Sequence, residues 1–435
     1  MSKTRRNIAV AAVLLLWAVV FWVMPMTHSA RAFASVRDTV PTLQIKKVKE
    51  LPVPGAGWYL EGGTSYQSGN QTLYLLAFWK NGVDSTYLKA LDPNNGWAVV
   101  KEIEAMSPAH LSHANDMCYV PKDEEICVTP MRNNELMTFK TSDLNPGKGS
   151  TYGIGQTYHA IGYDIQQDRY AAAYVVNGSG ASRKINCDIL KKVPTEHAHT
   201  YNSMGTFPIS TNLTYQGLTV HNSLIYYTCW ERGGTSAYEV VYDGVFQAND
   251  NVIYVYDFSG NLIKTLLITP PEGYSKFELE TASFLGEKMI LQFNVTLNDA
   301  AKTRKVEIYE VLGEGPSLEQ QRQEEAKRAA AASFPNARTR ITRVVRKKKQ
   351  IRLTWAPLTF AGEPVTGYQI QFCRKKNFKG KTRRNYYATK LDGNSMPIRR
   401  LQRKTTYFVR IRAYQTVDGV KIYSQWSQRR KVKTR

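Results

Sequence analysis

Between residues 45 and 312 the chain runs as short alternations of apolar and polar positions, broken by clusters of Gly, Asn, Asp and Pro. A period of two is the pattern of strands with one buried face, and the breaks are turn signals such as Asp92-Pro93-Asn94-Asn95-Gly96 and Ser259-Gly260-Asn261. Five segments share one rhythm: a small or polar entry, an alternating strand, a tight turn and a second apolar strand. They begin at Gly62, Asn115, His159, Gln216 and Glu280, at intervals of 53, 44, 57 and 64 residues. In each, a large residue (Tyr66, Tyr119, Tyr163, Val220 or Phe284) precedes the second strand. Repeats of this length are those of four-stranded units around a central axis, so an all-β, five-bladed β-propeller is predicted over 35–313. No sixth or seventh unit is found.

The pattern changes after Val311. Residues 317–332 (SLEQQRQEEAKRAAAA) are rich in helix formers and stop before Phe334-Pro335, but their apolar residues are nearly all Ala. A solvated helical linker is predicted over 314–340. Seven short strands are then expected from Ile341 to the C-terminus. At the other end, Lys3, Arg5 and Arg6 precede an uncharged apolar run over 8–24, and Ala32-Phe33-Ala34 supplies a small–x–small cleavage pattern. A signal peptide over 1–34 is expected, hence a secreted, extracellular or cell-surface protein with no membrane span after cleavage.

Composition alters this picture in one respect. The formal net charge is +22, yet residues 341–435 hold 26 Lys and Arg against three acids, a net of +23. The other 340 residues are therefore close to neutral, and the basicity belongs to the C-terminal module. The five cysteines (118, 127, 187, 229 and 373) show no metal-binding spacing; Cys118 and Cys127 fall on adjacent predicted strands, where a disulfide would fit.

That module resembles fibronectin type III. Ile351-Arg-Leu-Thr-Trp355 looks like a B strand with its core Trp, and Pro364 to Phe372 like a C strand. Leu401 through Tyr407 to Ala413 looks like the E–F corner, and Ser424-Gln-Trp426-Ser427 like the last strand. The resemblance implies a seven-stranded β-sandwich in which the Tyr407 hydroxyl bonds back to the backbone. Two further resemblances are confined to one or two repeats. Tyr215-Gln216-Gly217-Leu218 is similar to an entry of plant-type glutaminyl cyclases, although Thr281 follows Glu280 where that family has Gly. Glu61-Gly62 and Asn115-Asp116 are similar to metal-binding entries of lactonase-type propellers.

Entry strands of a propeller line its channel, so Glu61, His113, Asn115, Asp116, His159, Gln216 and Glu280 are the expected ligand or metal residues at one mouth. A hard divalent cation such as calcium would suit Glu280, Asn115 and Asp116, and His113 with His159 would suit a softer metal. His197-Ala-His199 is a further imidazole pair. On the basic module Lys347, Lys348, Lys349, Lys375, Lys376, Arg383, Arg384, Arg399, Arg400, Arg429 and Arg430 are expected to bind a polyanion, namely anionic cell-wall polymer or acidic polysaccharide. No recognition helix favours sequence-specific nucleic-acid binding. Nucleophile elbow, phosphate loop, H-E-x-x-H and EF-hand patterns are all missing from the sequence. The expected function is a surface binding protein tethered by its basic module. The alternative is an extracellular propeller enzyme, a glycan hydrolase or one similar to glutaminyl cyclases or metal-dependent lactonases.

Overall fold

A computed structural model describes residues 36–435 apart from 83–84, 106–110, 132–133, 178–183, 195–198, 234–244 and 390–393. The expected signal peptide and His197 fall outside these residues. The protein is all-β, and the chain divides into two compact units, Met1–Leu318 and Glu319–Arg435.

In the first unit, strand β1 (Thr42–Pro52) is followed by five groups of strands that pair in chain order. The first four groups have four strands each. They are β2–β5 (Trp58–Ser68, Gln71–Lys80, Ser85–Asp92, Ala98–Ala105) and β6–β9 (Asp116–Val120, Glu125–Thr129, Glu135–Lys140, Ser150–Gly153). Next come β10–β13 (Tyr158–Asp164, Arg169–Asn177, Lys184–Pro194, His199–Ile209) and β14–β17 (Thr214–His221, Leu224–Trp230, Asn251–Asp257, Leu262–Ile268). The last group, β18–β20 (Tyr274–Leu285, Lys288–Leu297, Arg304–Gly315), has three strands of its own, and β1 returns to pair antiparallel with β20 as its fourth. A single parallel pairing, Thr42 with Leu267, joins this group to β17, so the two form one eight-stranded sheet.

The first strands of the groups meet in sequence: β2 touches β6, then β10, β14 and β18 follow, and β18 returns to β2. Apolar faces of adjacent sheets supply the core between them. Leu75, Ala77 and Leu88 pack with Ile126 and Val128, and Ala171, Ala173 and Ile189 pack with Ile225, Tyr227 and Val252. Each such Leu, Ile or Val contributes about 1.5–3 kcal/mol on burial, so the interfaces between groups help hold the unit together.

At the centre of the ring stands Asp116, fully buried on β6. Its Oδ2 accepts the backbone N–H of Ile161 on β10 (3.0 Å) and of Leu218 on β14 (2.7 Å), and its Oδ1 accepts the Thr281 hydroxyl of β18 (3.2 Å). On the remaining side a Cβ added to Gly62 of β2 would lie 3.0 Å from the Asp116 Cα, a distance that only glycine avoids. Gly217 is as constrained, its added Cβ meeting the Thr281 hydroxyl at 2.4 Å. The Asp116 carboxyl thus ties β10, β14 and β18 to β6, and the small residue at Gly62 lets β2 lie beside the same backbone.

All five cysteines are buried free thiols; Cys118 and Cys127, where a cross-strand disulfide would fit, are direct partners on β6 and β7 but are not bonded.

A helix, α1 (Leu318–Ser333), precedes the strands of the second unit. Those strands form a sheet of β21 (Ile341–Lys347), β22 (Gln350–Trp355) and β27 (Ser395–Ile398), and another of β25 (Gly367–Cys373), β26 (Arg384–Ala388), β28 (Thr406–Val417), β29 (Val420–Tyr423) and β30 (Arg430–Lys433). The minimal pair β23 (Thr359–Phe360) and β24 (Glu363–Pro364) forms a hairpin of its own. Trp355 and Tyr368 meet in the core at 5.2 Å, and the Tyr407 hydroxyl accepts the N–H of Gln402 (3.0 Å), the backbone bond the resemblance implied.

Burial pushes the Asp116 carboxyl up to about 7 against the pull of its backbone donors. An unfolded Asp releases its proton near 4, so the folded state holds the proton longer and stability falls as pH rises between about 4 and 7. Asp116→Asn, which keeps an acceptor but cannot ionise, is expected to flatten that slope in denaturant titrations run across this range. Asp116→Ala strands buried N–H groups and is expected to cost about 2–5 kcal/mol at every pH.

Candidate functional site

Four of the five first strands of the ring carry an irregularity in their pairing; β6 does not. Pairing slips by one residue between Leu60 and Gly62 on β2, between Tyr158 and Ala160 on β10, between Tyr215 and Leu218 on β14, and between Leu279 and Thr281 on β18. The slips fall at Glu61, His159, Gln216–Gly217 and Glu280, and Asn115 sits just before β6. A β-bulge re-aims its side chain off the regular pleat, which is why polar residues persist there. The sequence register is corrected by one residue in the first repeat: Glu61, not Gly62, corresponds to His159 and Glu280.

Not all of these residues converge. Glu61 and Glu280 do, together with Glu278 and Lys276, which the sequence reading overlooked. Asn294 of β19 donates to Glu280 Oε1 (2.5 Å) and to Leu60 O (2.9 Å), and Gln216 donates to Glu278 Oε1 (3.1 Å). The Lys276 ammonium pairs with Glu278 and lies 5.0 Å over the Trp230 ring. His113 reaches Glu61 through Nδ1 (3.3 Å) and stacks on Trp79 at 4.2 Å. Burial, then the Glu278 charge, drives the Glu61 and Glu280 carboxyls well above the ordinary range, with Lys276 opposing. The alternation Lys276–Glu278–Glu280, charged at every second position, was the available signal.

The other three predicted residues are otherwise engaged. Asp116 holds the hub. Asn115 donates to the carbonyl of His159 (2.5 Å), and the buried His159 ring lies 4.0 Å from Tyr215 with Nε2 at 2.9 Å from the Tyr227 hydroxyl. The cation site expected from Glu280, Asn115 and Asp116 does not assemble, because the Asp116 oxygens are occupied by three strands. Among the described residues no group of three or more His, Cys, Asp or Glu is placed to hold a metal ion.

A cavity of about 600 Å³ opens at the opposite ends of the same strands. Its walls include Ser65, Tyr119, Tyr163, Val220 and Phe284, four residues after Glu61, Asn115, His159, Gln216 and Glu280 respectively. Tyr66, grouped with these by sequence, is buried in β2 and contributes an edge.

On the second unit all eleven predicted polyanion residues are exposed. The Leu401 N–H donates to Lys349 O (3.0 Å), the Arg435 N–H donates to Lys347 O (3.3 Å), and Arg374 pairs with Gln402. These bonds draw Lys347–Lys349, Arg399–Arg400 and the start of the 374–384 loop to one end of the sandwich. Arg429 and Arg430 instead line a cavity of about 400 Å³ with Arg338 and Arg340, two arginines absent from the sequence prediction. The Trp426 ring is held between the guanidiniums of Arg410 (4.3 Å) and Arg412 (4.5 Å), so part of the charge is spent in cation–π stacking.

Residues 338–430 match the fibronectin type III domain family, and the protein carries such a domain at its C-terminus. No curated protein matches the chain. Similar solved structures include a myokine structure (22% identical, covering 22% of this chain and 98% of that one, TM-score 0.18). Kuenenia stuttgartiensis hydrazine synthase is 10% identical over 57% of this chain and 58% of that one (TM-score 0.31). A nidogen/laminin complex is 7% identical over 57% and 83% (TM-score 0.34). Scores this low give no ground for an argument about fold or activity.

Because Glu61 and Glu280 keep their protons longer folded than unfolded, they favour the fold fully below the ordinary glutamate value and lose that contribution as pH rises above it. Glu280→Gln can still accept from Asn294 and cannot ionise. Its melting temperature is expected to gain on the parent progressively as pH is raised above the ordinary glutamate value, as read by circular dichroism.

Proposed function

We propose that the protein is a secreted, surface-associated binding protein. Residues 42–315 act as a five-bladed β-propeller presenting a recognition face, and the fibronectin type III domain acts as an electrostatic tether to anionic wall polymer or acidic polysaccharide. The propeller reading is supported by the five strand groups, the cyclic contact of their first strands and the return of β1 to the last group. Export is supported by the charged, apolar and small-residue succession within residues 1–34. Among the described residues no helix is long and apolar enough to cross a membrane.

The observation that carries the tether is the placement of charge. A net of +23 sits on residues 341–435, and the predicted Lys and Arg are exposed at turns and strand ends rather than neutralised by acids of the same module, which has three. Like charges at this density repel one another, and a polyanion relieves that repulsion while releasing its own counterions. The Arg338, Arg340, Arg429 and Arg430 cavity adds guanidiniums suited to phosphate or carboxylate groups.

The enzyme reading is favoured by one feature, the raised carboxyls of Glu61 and Glu280. Against it, both are engaged by protein partners (His113 and Asn294). The two cavities described above lie elsewhere.

The tether predicts a steep loss of retention with salt. The full chain is expected to bind immobilised polyphosphate in 50 mM salt and to elute well before 1 M. Replacing Lys347, Lys348 and Lys349 by Glu should lower elution salt and flatten the plot of log affinity against log salt. Absence of retention at 50 mM, or retention indifferent to salt, would overturn the reading.

A further inference from the structure

The cavity at the far ends of the ring strands is built by the repeat itself. Three residues after Glu61, Asn115, Gln216 and Glu280 come the small side chains Thr64, Cys118, Thr219 and Ser283, all of which line the cavity. One residue further, and four after His159 on β10, come the wall residues Ser65, Tyr119, Tyr163, Val220 and Phe284. Equivalent positions of the five repeats thus meet at one bowl, so the bowl is a consequence of the repeat rather than a packing fault.

Its chemistry is specific. None of the lining residues is Lys or Arg, and the one acid, Glu287, sits at the rim with His221 Nε2 at 3.1 Å. His221 stacks on Phe284 at 3.9 Å and 7°, forming a flat two-ring platform. Neutral amides and hydroxyls, including Gln67, Asn94 and Thr72, complete the rim. A cation finds little charge to answer it, since Glu287 at the rim is already engaged by His221 and Asn222. An anion finds no positive charge. A ligand that presents apolar C–H faces to rings and neutral hydroxyls to amides fits all of these terms, and about 600 Å³ lies within the range of ordinary small-ligand sites.

We infer that this bowl is a binding site for a neutral saccharide, and that the protein's recognition face is therefore the end of the ring opposite Glu61 and Glu280. The inference rests on the reading of residues 42–315 as a recognition platform, and it is independent of the basic tether. Hydroxyls of the sugar bond to Asn94, Gln67 and Ser65 while its C–H face packs on Tyr119 and the Phe284–His221 platform.

The test is an array of neutral oligosaccharides (gluco-, xylo-, manno- and N-acetylglucosamine series) probed with the full chain in 0.5 M salt, where tether contacts are screened. Positives are then titrated calorimetrically. Binding to at least one series is expected, weakened tenfold or more by Tyr119→Ala and by Asn94→Ala, and unchanged by the Lys347–Lys349 charge reversal. Asn94 is exposed in a turn, so its substitution separates loss of a contact from loss of the fold, which circular dichroism verifies. Three results would overturn the assignment: no binding to any series, binding indifferent to both substitutions, or displacement by choline, which would mark a cation site. Polyphosphate retention alongside a blank array would sink the saccharide site and leave the tether standing.

Discussion

Strands β10, β14 and β18 converge on the carboxyl of Asp116 on β6 while β2 passes beside its backbone, and everything placed around the ring depends on that convergence. A buried carboxylate is costly unless its oxygens are satisfied, and here donors from β10, β14 and β18 satisfy them. The donors in turn need strands close enough to reach one side chain, which requires small residues at Gly62 and Gly217. The hub therefore fixes the spacing of the strands. It also closes the axis, separating the carboxyl cluster at one end from the bowl at the other.

Polar bulges have different fates on the two sides of that layer. At the strand starts, Glu61 and Glu280 are buried with Glu278, and they are tolerated because Asn294, His113, Gln216 and Lys276 answer them. Asn294 also pairs with both backbone groups of Leu60, extending the hydrogen-bond network from β19 across to β2. This end reads as an internal stitch between the last group and the first. At the far end the same strands present wall residues to open space, with nothing charged except Glu287. The site proposed for recognition is thus the end that the stitching leaves free.

The C-terminal domain obeys a different economy. Its core is built from Trp355, Tyr368, Tyr407, Phe360, Phe372 and their aliphatic neighbours, so the surface is free to carry charge without disturbing the fold. Arg410 and Arg412 show the limit: their guanidiniums stack on Trp426 and bond to Gln371 and Gln369. Lys347–Lys349, Lys375, Lys376, Arg383, Arg384, Arg399, Arg400, Arg429 and Arg430 are exposed, where long-range attraction to a polyanion is available at little cost.

Much was legible from residue order alone: the all-β class, the five-part rhythm, the helix after Val311, the fibronectin type III domain with its Tyr407 corner, and the confinement of charge to that domain. These are local properties, carried by periodicity, turn residues and composition, and they survive without knowledge of any contact. The position of the site was not. Asn115, Glu280 and the neighbouring Asp116 look alike among the polar residues of the repeat entries, and only tertiary structure decides which is a hub and which a stitch. A bulge shifts register by one residue without any mark in the sequence, so Gly62 was aligned where Glu61 belongs. Asn294 and Arg338 acquire their partners from strands that are remote in sequence, and no local pattern encodes such a distance.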